Sequence, residues 1–134
     1  MEDNNFKIDL SNKDIKIKEI MTKEPLTLQP SLVGGEAVEI MYKQKKLYAP
    51  VVEDNKLEGW IYALDILVGC KHSKVEDLML FTDEITILNE NDNLKEDLII
   101  DLVRKEYVAY PVVNDNNEVV GTLSVFDILR YFVF

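Results

Sequence analysis

The sequence predicts an α/β fold (α+β in its mixed strand directions) made of two pseudo-twofold related β-α-β-β-α repeats packed sheet to sheet. Three observations predict it. The same landmarks occur twice in the same order. Within each copy, stretches of helical period alternate with short apolar runs bounded by turn formers. Each copy has only about 60 residues, too few to cover both faces of a sheet alone.

The landmarks fix the elements in order. Ile17-Lys18-Glu19-Ile20-Met21 is answered by Val75-Glu76-Asp77-Leu78-Met79. A short strand is expected at Leu26–Leu28 and at Ile85–Leu88. A helix follows in each copy, marked by Val33, Ala37 and Met41 and by Leu94, Leu98 and Leu102, four residues apart. Ala49-Pro50-Val51-Val52 and Tyr110-Pro111-Val112-Val113 open hairpins whose turns are Glu53–Lys56 and Asn114–Asn117, both rich in turn formers. Gly59 to Leu67 and Gly121 to Leu129 close the copies, with a second helix starting near Asp65 and near Val125.

The offset is 58 residues between Met21 and Met79, 61 between Pro50 and Pro111, and 62 between Gly59 and Gly121. That drift falls where loops absorb insertions. The helix between the first two strands of each copy implies a right-handed crossover and parallel pairing. The organisation expected is a polar arm at 1–14, one repeat at 15–72 and a second at 73–134.

Composition excludes several classes. The chain has 134 residues, 47% hydrophobic and 30% charged, with a net charge of −10. Only two arginines, Arg104 and Arg130, are present, and no basic block. Nucleic acid and anionic membrane are poor partners for such a chain. No apolar run approaches the roughly 18 residues of a membrane span. The acidic start, Met1-Glu2-Asp3-Asn4-Asn5, lacks the character of a signal peptide. One cysteine, Cys70, permits no internal disulfide. A cytoplasmic location is expected.

Gly121, Ser124 and Asp127 end the second copy. A carboxylate accepts hydrogen bonds from two vicinal hydroxyls at once, which suits ribose. A serine hydroxyl at a helix start, beside free backbone amides, suits phosphate. Ser-x-x-Asp is also close to a capping box, which needs no ligand. The first copy keeps Gly59 and Asp65 but places Tyr62 where the second has Ser124.

The ordered set resembles the CBS (cystathionine-beta-synthase) domain over about residues 15–132. Two in tandem form a CBS pair, or Bateman module. The resemblance implies a regulatory module that binds an adenosine-containing nucleotide, AMP, ADP, ATP or S-adenosylmethionine, between the repeats, with no cofactor required and no catalysis. It implies ribose and phosphate contacts from Ser124 and Asp127, with the base held near Ile85, Thr86, Tyr110 and Pro111. It implies a weaker second site at Tyr62, Asp65 and Ala49. Met79-Leu80 departs from the family's Met-Thr, which Met21-Thr22 keeps, and the departure lies near the expected base end. A ligand-independent dimerisation or protein-interaction module is the alternative.

Other residues carry less. Cys70 and His72 provide neither a metal set nor a nucleophile with an oriented base. A buried thiol and a surface imidazole are expected. Arg130, three residues past Asp127, is either a solvated side chain or a phosphate contact. Lys43, Lys45 and Lys46 suit the negative end of the first long helix. Val125–Phe134 is apolar nearly all round, so something should cover it. The resemblance implies a homodimer through the second helices. An attached or partner effector domain is the other reading.

Overall fold

The computed structural model describes residues 14–105 and 109–133. The expected arm at 1–14 lies almost wholly outside the described residues, as does Phe134. The first half contains α1 (Ile17–Ile20), β1 (Thr22–Lys23), α2 (Gly34–Lys43), β2 (Tyr48–Glu53), β3 (Lys56–Tyr62) and α3 (Ala63–Val68). The second contains α4 (Val75–Leu78), β4 (Leu80–Phe81), a 3₁₀ turn (Thr82–Glu84), β5 (Leu88–Asn89), α5 (Glu96–Arg104), β6 (Ala109–Val113), β7 (Val119–Ser124) and α6 (Val125–Val133).

The hairpins follow from their turns. Asp54 and Asn55 both take positive φ, 52° and 66°, the two-residue geometry that matches strand twist. In the second hairpin Asn114 Oδ1 accepts from the amides of Asn116 and Glu118, tying a longer loop shut. β5 runs parallel to β6, as a helical crossover requires. The expected strand at Leu26–Leu28 reduces to one parallel bridge, Leu28 with Val51. That at Ile85–Leu88 reduces to Leu88–Asn89. The first long helix begins at Gly34, with its first amides satisfied by the Ser73 and Lys71 carbonyls. The helix expected near Asp65 begins two residues earlier, at Ala63.

The two sheets are ordered β1-β7-β6-β5 and β2-β3-β4. Each therefore contains a strand from the other half. Thr22 pairs with Thr122 and Lys23 with Gly121, while Gly59 pairs with Phe81 and Trp60 with Leu80. The cores follow the same exchange. Ile15, Ile17, Ile20 and Met21 are buried among Leu102, Val112, Leu123 and Ile128. Val75, Leu78 and Met79 pack with Ala37, Met41, Val51 and Ile66. Burying side chains of this size stabilises by roughly 2 kcal/mol each, so the exchanged segments hold the halves together.

The close approach of exchanged strands explains two glycines. A Cβ on Gly121 would stand 2.6 Å from the Thr22 carbonyl oxygen and 2.7 Å from Met21 Sδ. A Cβ on Gly59 would stand 2.5 Å from the Leu80 carbonyl oxygen and 2.6 Å from Met79 Sδ. The methionine that opens each repeat packs on the glycine of the other. The hairpin ends also meet. Val52, Leu57, Val113 and Val119 form a small apolar cluster, and Leu57 and Val119 donate to the Asn117 and Asn55 carbonyls.

Candidate nucleotide cleft

Asp127 is placed by the start of α6. It is the third residue of that helix, and its Oδ2 accepts from the Ser124 amide at 2.7 Å and from the Ser124 hydroxyl at 3.3 Å. This is the carboxylate half of a capping box. Oδ1 accepts from Thr22 Oγ1 at 2.5 Å and from Arg130 at 2.9 Å. Arg130 also donates to the Ile20 carbonyl at 3.0 Å. The Asp127 side chain is 2% exposed and that of Arg130 is 58% exposed. Arg130 is therefore neither simply solvated nor free. It clamps the carboxylate to the exchanged segment α1–β1.

Ser124 and Asp127 line a cavity of about 250 Å³. The opposite wall comes from the first half: Thr22, Lys45, Lys46, Leu47 and Tyr48. A small hollow bounded by Pro25, Leu26, Tyr48 and Pro50 shares Thr22, Lys46 and Tyr48 with it. Burial pushes the Tyr48 phenol above its usual value. A hydrogen bond with Ser124 opposes the shift, and the Asp127 charge adds to it.

The other residues expected at the site lie elsewhere. Ile85, Thr86, Tyr110 and Pro111 line a second cavity of about 170 Å³ together with Trp60, Tyr62, Leu80, Glu84 and Lys105. Ser124 and Asp127 thus line one cavity, and Ile85, Thr86, Tyr110 and Pro111 line another. The second cavity sets Tyr62, at the start of α3, against Ile85, Thr86, Tyr110 and Pro111 of the second half. Of the weaker set, Tyr62 lines this second cavity. Asp65 is exposed on α3 and Ala49 is buried in the first core, and neither lines it. Tyr62 makes no side-chain capping bond, unlike Ser124 with Asp127. Where Thr22 serves Asp127, the matching residue of the second repeat is Leu80, which has no donor.

Aromatic rings separate the two cavities. Tyr48 stacks on Trp60 with centroids 5.2 Å apart, and Trp60 meets Tyr62 edge-on at 6.2 Å. Among the described residues the Trp60 indole N–H is buried without an acceptor. Tyr110 donates to Asp101 on α5, which fixes its ring.

Sequence reasoning missed Thr22, Lys46 and Tyr48 as neighbours of Asp127. The available signal was the contrast of Met21-Thr22 with Met79-Leu80. Cys70, expected to be buried, is exposed, because α3 ends at Val68 and leaves it in the following loop. Hydrogen bonds from the His72 backbone and from Ser73 lower its thiol pKa. No cluster of three or more His, Cys, Asp or Glu among the described residues is placed to hold a metal ion. No helix among them is long and apolar enough to cross a membrane.

The CBS domain family matches residues 17–70 and 75–133. The chain belongs to the CBS domain family. It is 58% identical over 118 residues to CBS domain-containing protein MJ0729 of Methanocaldococcus jannaschii, covering 88% of this chain and 95% of that one. It spans between 23% and 56% of the longer curated relatives that it matches. Among solved structures, CBSX2 of Arabidopsis thaliana in complex with AMP is similar at a TM-score of 0.75 and 24% identity, covering 87% of this chain and 95% of that one. The CBS domain pair of MJ0100, in complex with 5′-methylthioadenosine and S-adenosyl-L-methionine, is similar at a TM-score of 0.74 and 26% identity, covering 90% and 97%. The exchanged strands and paired cavities described above are the architecture of this CBS pair.

Proposed function

We propose that this CBS pair is a regulatory module that holds an adenosine-containing nucleotide in the cleft at Ser124 and Asp127. The observation that carries the reading is the convergence of Ser124 and Asp127 from one half with Thr22 and Tyr48 from the other around one cavity. The AMP complex of CBSX2 and the nucleoside complexes of MJ0100 support it. Ribose hydroxyls replace Thr22 and Arg130 on Asp127 Oδ1, while Oδ2 keeps the Ser124 amide. That exchange releases the Arg130 clamp on the Ile20 carbonyl and so couples occupancy to the position of α1 and β1. The population shift equals the ligand's differential affinity for the two positions and no more. An attached or partner effector reads that position.

The same proposal includes a homodimer. Leu64, Leu67 and Val68 on α3 and Phe126, Leu129 and Val133 on α6 are exposed, and a surface of this kind calls for a cover. Ligand-independent assembly is the second reading, favoured by those apolar faces alone. Native mass spectrometry with adenosine, AMP, ATP and S-adenosylmethionine tests both. The expected result is a dimer carrying nucleotide. A dimer that carries none of the four leaves assembly as the function, and a monomer that carries one refutes the dimer.

A further inference from the structure

The cavities differ in charge. Lys45, Lys46 and Arg130 line the Asp127 cleft against a single carboxylate. In the second cleft Glu84 and Lys105 cancel. An open groove of about 650 Å³ beside α5 has three aspartates, Asp92, Asp97 and Asp101, against Lys95. On a chain of net charge −10 the cationic lining of the Asp127 cleft is a local reversal.

The backbone adds a second observation. The Lys45 amide donates to the Tyr42 carbonyl at 3.1 Å and the Lys46 amide to the Met41 carbonyl at 2.8 Å. These two bonds close α2 in a Schellman motif. Lys45 occupies its left-handed position with φ 58°. Glycine is the usual residue there, because a Cβ is strained in that region. A strained non-glycine residue at a cavity mouth points to a role for its side chain. This turn carries both lysines to the cleft wall, and the Lys45 ammonium rests over the Tyr42 ring at 4.5 Å.

We propose that the Asp127 cleft selects phosphate-bearing adenosine ligands over S-adenosylmethionine, whose sulfonium is a fixed positive charge. Lys45 and Lys46 neutralise the phosphate, and Arg130 joins them once ribose displaces it from Asp127. The inference rests on the reading that Ser124 and Asp127 hold the nucleoside. Charges lining a cleft act strongly on a ligand within a Debye length, about 10 Å at 0.1 M salt.

Calorimetric titration of the full chain with AMP, adenosine and S-adenosylmethionine, at low and high salt, tests it. AMP is expected to bind about tenfold tighter than adenosine, since charge-assisted hydrogen bonds are roughly twice as strong as neutral ones. The gap narrows with salt, and S-adenosylmethionine binds most weakly. In Lys45→Gly combined with Lys46→Ala the gap between AMP and adenosine closes. Glycine fits φ 58° without strain, so Lys45→Gly alone keeps or raises its melting temperature and separates charge from folding. S-adenosylmethionine binding as tightly as AMP, or a gap that survives in the double variant, overturns the selection and leaves the nucleoside reading standing. Failure of every adenosine compound, adenosine included, overturns both.

Discussion

Asp127 takes hydrogen bonds from Thr22, Ser124 and Arg130 while almost fully shielded from water. One residue thus caps a helix and joins two halves, and in the proposed function the same carboxylate receives ribose. The capping reading of Ser-x-x-Asp and the ligand reading describe the same atoms. Asp127 was legible because cap and spacing are local in sequence. Its partner Thr22 was not, since 105 residues separate them and no local pattern carries that distance. Tyr48 offers a test at this scale. Burial, first, and the Asp127 charge hold its phenol above the usual 10.0, against a Ser124 hydrogen bond. The folded state keeps the proton where the unfolded chain releases it. The group's contribution is therefore intact below about pH 10 and falls as pH rises beyond it. In urea denaturation from about pH 9 to about pH 11, the native chain is expected to lose more stability than Tyr48→Phe. Parallel loss in both contradicts this account of Tyr48.

Two-residue strands decide how the elements assemble. β1 and β4 are too short to show a period of two, so the sequence pattern passed over them. The strands it did place, Leu26–Leu28 and Ile85–Leu88, shrink to a bridge and a pair. Both long helices, both hairpins and α6 were legible, because their apolar spacing and turn residues are local signals. The repeat landmarks Met21, Gly121, Met79 and Gly59 were visible as a list, and the structure makes them contact partners. Gly121→Ala and Gly59→Ala press a methyl into backbone oxygen, which has nowhere to go. Each is expected to cost about 3 kcal/mol, the upper end for overpacking. Gly121→Ala is also expected to move Thr22 from Asp127. Gly35→Ala is the contrast. Its methyl meets the Lys71 carbonyl oxygen at an ordinary 3.4 Å in α2, so it is expected to be neutral or to stabilise by up to about 1 kcal/mol. Chemical denaturation ranks the three, and equal effects refute the interlock.

At the scale of the molecule, a near-symmetric frame carries unequal clefts. Thr22, Ser124 and Asp127 on one side correspond to Leu80, Tyr62 and Asp65 on the other. That substitution removes the Thr22 hydroxyl, exchanges the Ser124 hydroxyl for a phenol on a longer arm, and leaves Asp65 exposed on its helix. The sequence revealed the duplication and this asymmetry. It did not reveal that each cleft draws on both repeats, because strand exchange is a long-range choice of partner. Trp60 joins the walls of the two clefts through its contacts with Tyr48 and Tyr62. The central claim is that ligand enters where Asp127 meets Thr22 and Tyr48. Calorimetric titration of AMP into Asp127→Ala and Asp65→Ala measures it most directly. The account predicts that the first variant loses binding while the second, still folded alike, binds as the native chain does. Equal loss in the two variants, or loss in Asp65→Ala alone, contradicts it.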